Sequence, residues 1–127
     1  MIWPDALPTA AAPPGARVAF IGAGPGAADL ITVRGAQRLA QAEVVLFDAL
    51  TDPALQALAP RARWVDVGKR GFGHATGQAA INALLVQAAQ AHARVVRLKG
   101  GDPSVFGRLE EEMAALQQAG IGYEVVP

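Results

Sequence analysis

Five short runs rich in β-branched and apolar residues, spaced by stretches of helical periodicity, constrain this chain more than any other feature. The runs are Arg17-Val-Ala-Phe-Ile21, Glu43-Val-Val-Leu-Phe47, Arg63-Trp-Val-Asp-Val67, Arg94-Val-Val-Arg-Leu98 and Tyr123-Glu-Val-Val126. The second and fourth are apolar enough for strands covered on both faces, as in parallel sheets. Helices are predicted between them. Thr32 caps the first, with Val33, Ala36 and Ala40 on its inner face. Asp52-Pro53 is a capped start with proline at the first helical position, and Pro60 stops that short segment. Ile81, Leu84, Leu85 and Ala88 mark a third helix. Phe106, Leu109, Met113 and Leu116 mark a fourth, closed by Gly120. Strand and helix alternate, and the order ends on a strand. That pattern predicts an α/β fold: a parallel or mostly parallel five-stranded sheet with helices on both faces.

The chain is 127 residues long, enough for one domain with a real core. It is 52% hydrophobic and 17% charged, which excludes overall disorder. Eleven basic residues balance eleven acidic ones, so bulk positive charge for nucleic acid is missing. With no cysteine there is no disulfide framework and no thiolate metal site. Two histidines far apart in the chain do not make a metal site either. No apolar run approaches the roughly 18 residues of a membrane span. Met1 to Pro14 carries four prolines but no basic start followed by an apolar block, so it reads as a loose tail rather than a signal peptide. The expected organisation is a flexible tail over 1–16 and one domain over 17–127, in a cytoplasmic protein with no membrane or nucleic-acid partner.

Two glycine-bearing loops follow predicted strands. Val95-Val-Arg-Leu-Lys-Gly-Gly-Asp-Pro103 stops a strand at Gly100-Gly101-Asp102. Glycine lets main chain approach a ligand closely, and loops at the carboxyl ends of parallel strands are where ligands bind. The same residues also suit an ordinary strand-to-helix turn with Asp102 or Ser104 as cap. Gly22-Ala-Gly-Pro-Gly26 has the first two glycines of a dinucleotide fingerprint without the third at its usual place. Asp48 ends the second strand near where a ribose-binding acid would stand, so nicotinamide-dependent oxidoreduction is a rival reading. Pro25 weakens it by deleting a backbone N–H where phosphate wants a donor, and the second loop has no role in it.

The only lysines are Lys69 and Lys99, both at or just beyond a strand end. Lys69-Arg70-Gly71-Phe72-Gly73-His74 is a basic loop. A lysine can donate a proton or hold an anion, and Arg70 suits a carboxylate. A solvated loop with incidental charge is the alternative. His92 reads as a surface residue at a helix end. Gln78 and Asn82 share a helix face, turned either to the basic loop or to solvent. Glu110-Glu111-Glu112 near the start of the fourth helix suits the helix dipole, so the run reads as structural.

Taken together, these residues resemble the uroporphyrinogen-III C-methyltransferases of the wider tetrapyrrole methylase family. The resemblance runs from about Val18 to Pro127. It rests on Gly22-Ala-Gly-Pro-Gly26, Val44-Val-Leu-Phe-Asp48, Val67-Gly-Lys-Arg70, His74 with Gln78 and Ile81-Asn82, Val95 to Pro103, Val105-Phe-Gly-Arg108, Ala119-Gly-Ile121 and Glu124-Val-Val-Pro127. It implies a two-domain, homodimeric enzyme that binds S-adenosylmethionine between its domains. That enzyme methylates C2 and C7 of uroporphyrinogen III to give precorrin-2, on the route to sirohaem and cobalamin. By position, the resemblance assigns Pro25, Gly100, Gly101, Asp102 and Val105 to the methyl donor. It assigns Asp48 as proton acceptor and Lys69 as proton donor. Arg70 and His74 are expected against the tetrapyrrole, with no metal.

Two departures leave the subgroup open. Gly26-Ala27-Ala28 replaces a common Gly-Asp-Pro, and Leu109-Glu110 stands where a double glycine is common. Pro127 falls where the family continues into a second domain, so the C-terminal domain is expected to be absent and 1–127 inactive alone. A precorrin methylase of another ring position, an NAD-binding domain and a non-catalytic binding module stay as alternatives.

Overall fold

The computed structural model describes residues 15–23, 31–47, 53–67, 77–100 and 109–126. Within them the strands are β1 (Ala16–Gly22), β2 (Val44–Phe47), β3 (Arg63–Asp66), β4 (Val95–Lys99) and β5 (Gly122–Val126). The helices are α1 (Val33–Gln41), α2 (Gln78–Ala91) and α3 (Leu109–Gln118), with a 3₁₀ segment at Pro53–Leu58. The five strands form one sheet in the order β3-β2-β4-β1-β5, and all four pairings are parallel.

Side chains alternate across this sheet because the strand period is two. Ala19, Ile21, Val45, Val96 and Leu98 point to one face and pack with Ala36 and Leu39 of α1 and with Leu55. Val18, Phe20, Val44, Leu46 and Val95 point to the other, against Leu85 and Ala89 of α2 and Leu109 and Leu116 of α3. Edge-to-face ring pairs, Phe47–Trp64 and Phe20–Tyr123, close one cluster each. The expected fold class is therefore the observed one.

Helix ends follow local chemistry. Thr32 is extended, and its Oγ1 accepts the Gly35 N–H at 3.1 Å, satisfying one orphan donor of α1. Gly120 has φ of 74°, the left-handed conformation that ends α3 without a Cβ penalty. The inner face of α1 differs from expectation. Val33 is 46% exposed and Ala40 is exposed, whereas Gly35, Ala36, Arg38 and Leu39 are buried. Leu39 has more apolar area to bury than Ala40, so the helix turns that side inward. The same rotation aims Arg38 at Glu124 of β5, with Nε to Oε2 at 2.9 Å.

Candidate active site

The geometry of the sheet singles out one edge. The crossover helix after β1 lies on one face and the helix after β4 on the other, although β1 and β4 are neighbours. Such a reversal of helix face between neighbouring strands marks the topological switch point of doubly wound sheets, at whose carboxyl ends ligands bind in this class. Gly22 is in register with Lys99. The Ala23 N–H donates to the Lys99 carbonyl at 2.7 Å, carrying the ladder into the first glycine sequence and to the residue before the second. Gly100 follows at once, half-buried in a bend.

Of the residues expected at the site, only Gly100 is described. Pro25, Asp48, Lys69, Arg70, His74, Gly101, Asp102 and Val105 lie outside the described residues. Their points of attachment are clear, however. Asp48 follows Phe47, the last residue of β2, which is in register with Leu98 of β4. Lys69 follows Val67 by two positions, and the Val67 N–H donates to the Phe47 carbonyl at 2.8 Å. The strand ends lie side by side at roughly 4.8 Å per strand. Those of β1 and β3, the outermost of the four, are thus about 14 Å apart, a span suited to one mid-sized ligand.

Beneath this edge lies a buried charged network. Parallel strands covered on both faces are normally near-continuously apolar, yet β4 carries Arg97 and Lys99 toward α2 and α3. They are 4% and 6% exposed, and Glu112 of α3 is 0% exposed. Arg97 Nε donates to Glu112 Oε1 at 2.8 Å, and Lys99 Nζ donates to Oε2 at 2.9 Å. Gln78, the first residue of α2, donates through Nε2 to Oε2 at 3.2 Å and to Asn82 Oδ1 at 2.7 Å. Arg97 Nη1 also donates to the Leu98 carbonyl at 3.2 Å. Both carboxylate oxygens are thus engaged, which buried charge requires.

The run Glu110-Glu111-Glu112 is therefore not uniform. Its third member faces inward because 109, 112, 113 and 116 form one helical stripe. That stripe, together with charges at alternate positions of an apolar strand, was the signal in the sequence. Gln78 and Asn82 turn to this network. His92, capping α2, is half-buried, with Nδ1 3.5 Å from Glu43 Oε2. Both line an open depression of about 580 Å³ with Arg61 and Arg94, at the amino ends of the strands and away from the switch point.

A fully parallel sheet with glycine-bearing loops on both sides of its switch point defines a ligand-binding α/β domain of the doubly wound class. The chain belongs to the Tetrapyrrole (Corrin/Porphyrin) Methylases, whose family pattern it matches over residues 17–127. Siroheme synthase 2 of Yersinia pestis (strain Pestoides F) is 53% identical over 111 residues, which are 87% of this chain and 24% of that protein. The uroporphyrinogen-III C-methyltransferase of Synechocystis sp. (strain PCC 6803) is 51% identical over 112 residues, 87% of this chain and 43% of that one. The crystal structure of uroporphyrin-III C-methyl transferase from Thermus thermophilus complexed with S-adenyl homocysteine superposes with a TM-score of 0.75. There the identity is 47%, covering 87% of this chain and 44% of that one. The chain thus spans less than half the length of the relatives it matches.

Proposed function

We propose that this chain is the N-terminal domain, over residues 17–127, of an S-adenosylmethionine-dependent C-methyltransferase acting on C2 and C7 of uroporphyrinogen III to give precorrin-2. The observation that carries the reading is the similarity to the Thermus enzyme bound to S-adenosylhomocysteine, the product of methyl donation. Family membership displaces the nicotinamide reading of the first glycine loop. No helix among the described residues is long and apolar enough to cross a membrane. A homodimer is the assembly this reading carries with it.

The fold fits a cofactor of this kind in one respect. Two adjacent strands end at the switch point in glycine-containing sequence, where main chain can approach a ligand without Cβ interference. Gly100, Gly101 and Asp102 would hold the amino-acid end, with Pro25 and Val105 beside it. S-adenosylmethionine supplies an already activated sulfonium methyl, so no covalent nucleophile is needed from the protein. What the chain must do is align the pyrrole carbon with that methyl, which is work of positioning. Asp48 then accepts the proton that leaves the methylated ring. Lys69 serves as proton donor, and Arg70 and His74 hold the carboxylates of the substrate.

The test is to express the protein from its own reading frame and supply uroporphyrinogen III with S-adenosylmethionine. Mass spectrometry counts the methyl groups added, and NMR of the product locates them. Two methyls, at C2 and C7, support the reading. Methylation at another ring position, or none, overturns it.

A further inference from the structure

The Glu112 network stands apart from the residues assigned to chemistry. It also costs more than a fold of this class requires. Burying three formal charges is expensive, and replacing such a cluster by well-packed apolar residues is often neutral or stabilising. On the opposite face of the same strand, Val96 and Leu98 are apolar and join the cluster under α1. Stability alone therefore does not explain why the face toward α2 and α3 is charged.

Its location does. Lys99 is the last residue of β4, immediately before Gly100, and its carbonyl holds the Ala23 N–H. Glu112 lies in the first turn of α3 and Gln78 is the first residue of α2. One carboxylate thus joins the carboxyl end of the central strand to the amino ends of two helices. Lys99 immediately precedes the segment 100–105 proposed for the cofactor, Gln78 comes four residues after His74, and Glu112 comes seven after Val105. Its three bonds come from groups of different reach, so displacing any one element strains the other two.

We propose that Glu112 is a positioning residue that sets the end of β4 and the starts of α2 and α3 for cofactor binding, acting through Lys99, Arg97 and Gln78. The inference rests on the proposed S-adenosylmethionine reading. It assigns no contact between Glu112 and the cofactor.

The test titrates S-adenosylhomocysteine calorimetrically into the protein expressed from its own reading frame, as wild type, Glu112→Gln, Glu112→Asp, Gln78→Ala and Leu116→Ala. Leu116 is fully buried on the same helix and touches none of the charged groups by hydrogen bond. It therefore reports what simple loosening of α3 does. Circular dichroism confirms that each variant is folded at the titration temperature. Glu112→Gln is expected to weaken binding roughly 10- to 100-fold, within the range of coupling between a ligand site and a group outside it. Glu112→Asp, which keeps the charge, recovers part of that loss. Gln78→Ala weakens binding less, and Leu116→Ala leaves it unchanged. A folded Glu112→Gln that binds like wild type overturns the inference, as does equal weakening by Leu116→Ala. If Glu112→Gln does not fold, Gln78→Ala decides, and unchanged affinity there overturns it. Wild type that binds no S-adenosylhomocysteine overturns the parent reading, and this inference with it.

Discussion

Arg38 Nε lies 2.9 Å from Glu124 Oε2, joining the last turn of α1 to the edge strand β5, with side chains only 5% and 11% exposed. The pair spans 86 positions of sequence. It fixes α1 over the β1–β5 side of the sheet, the side from which the first glycine loop departs. Removing one partner of a buried pair costs about 3–5 kcal/mol. That is a large part of the roughly 5–15 kcal/mol stability of a domain. Glu124→Leu alone is therefore expected to lower the urea midpoint sharply. The double variant Arg38→Met/Glu124→Leu should recover most of the loss. Additive losses in the double-mutant cycle would show that the two side chains do not act as a pair.

Gly35 sits in the first turn of α1, where alanine would ordinarily favour the helix by about 1 kcal/mol. A Cβ there would stand 3.0 Å from Ile21 Cγ2, 3.1 Å from Ile31 Cγ1 and 3.2 Å from Thr32 Oγ1. The isoleucine at 21 is fully buried and stiff at χ1, so it has no room to yield. Gly35→Ala should therefore destabilise, by about 1–3 kcal/mol in thermal or urea unfolding. A stabilised variant would mean that α1 stands further from β1 than described.

Thr32→Ala removes the acceptor that holds the Gly35 N–H. The expected loss is about 1 kcal/mol, while Thr32→Ser or Thr32→Asp keeps most of the stability. Equal losses for alanine and serine would rule out capping as the role of this hydroxyl.

Asp48 and Lys69 are assigned to proton transfer, not to cofactor binding. In the protein expressed from its own reading frame, Asp48→Asn and Lys69→Met should each lower kcat about 10²- to 10⁴-fold. Affinity for S-adenosylhomocysteine should stay near that of wild type. Unchanged methyl transfer in both variants would overturn the proposed proton-transfer roles of Asp48 and Lys69.

Residues 1–127 expressed alone should show little or no conversion of uroporphyrinogen III. The relatives are more than twice as long, and in this reading the second domain supplies the other cofactor wall. Measurable turnover by the purified 127-residue chain would show that one wall is enough.

Local signals carried much of the fold. Short β-branched runs, the stripe of α2, the Leu109, Met113 and Leu116 stripe of α3, the Thr32 cap and the Gly120 stop depend on neighbours within a few positions, and each could be read as written. The glycine loops and the polar residues after the strands, in family order, carried the assignment of the site. Tertiary structure alone decided the strand order, and with it that Gly22 and Lys99 end side by side at a switch point. It decided that α1 turns Leu39 inward, not Ala40, because burial of the larger side chain and the distant partner Glu124 outweigh a stripe counted on alanine. It also decided that Glu112, one of three consecutive glutamates, is buried against two cations. The helical stripe of 109, 112, 113 and 116 marks Glu112 as the inward acid of the three. That it meets Arg97 and Lys99 depends on how α3 lies across β4, and that is set by packing between residues far apart in the chain.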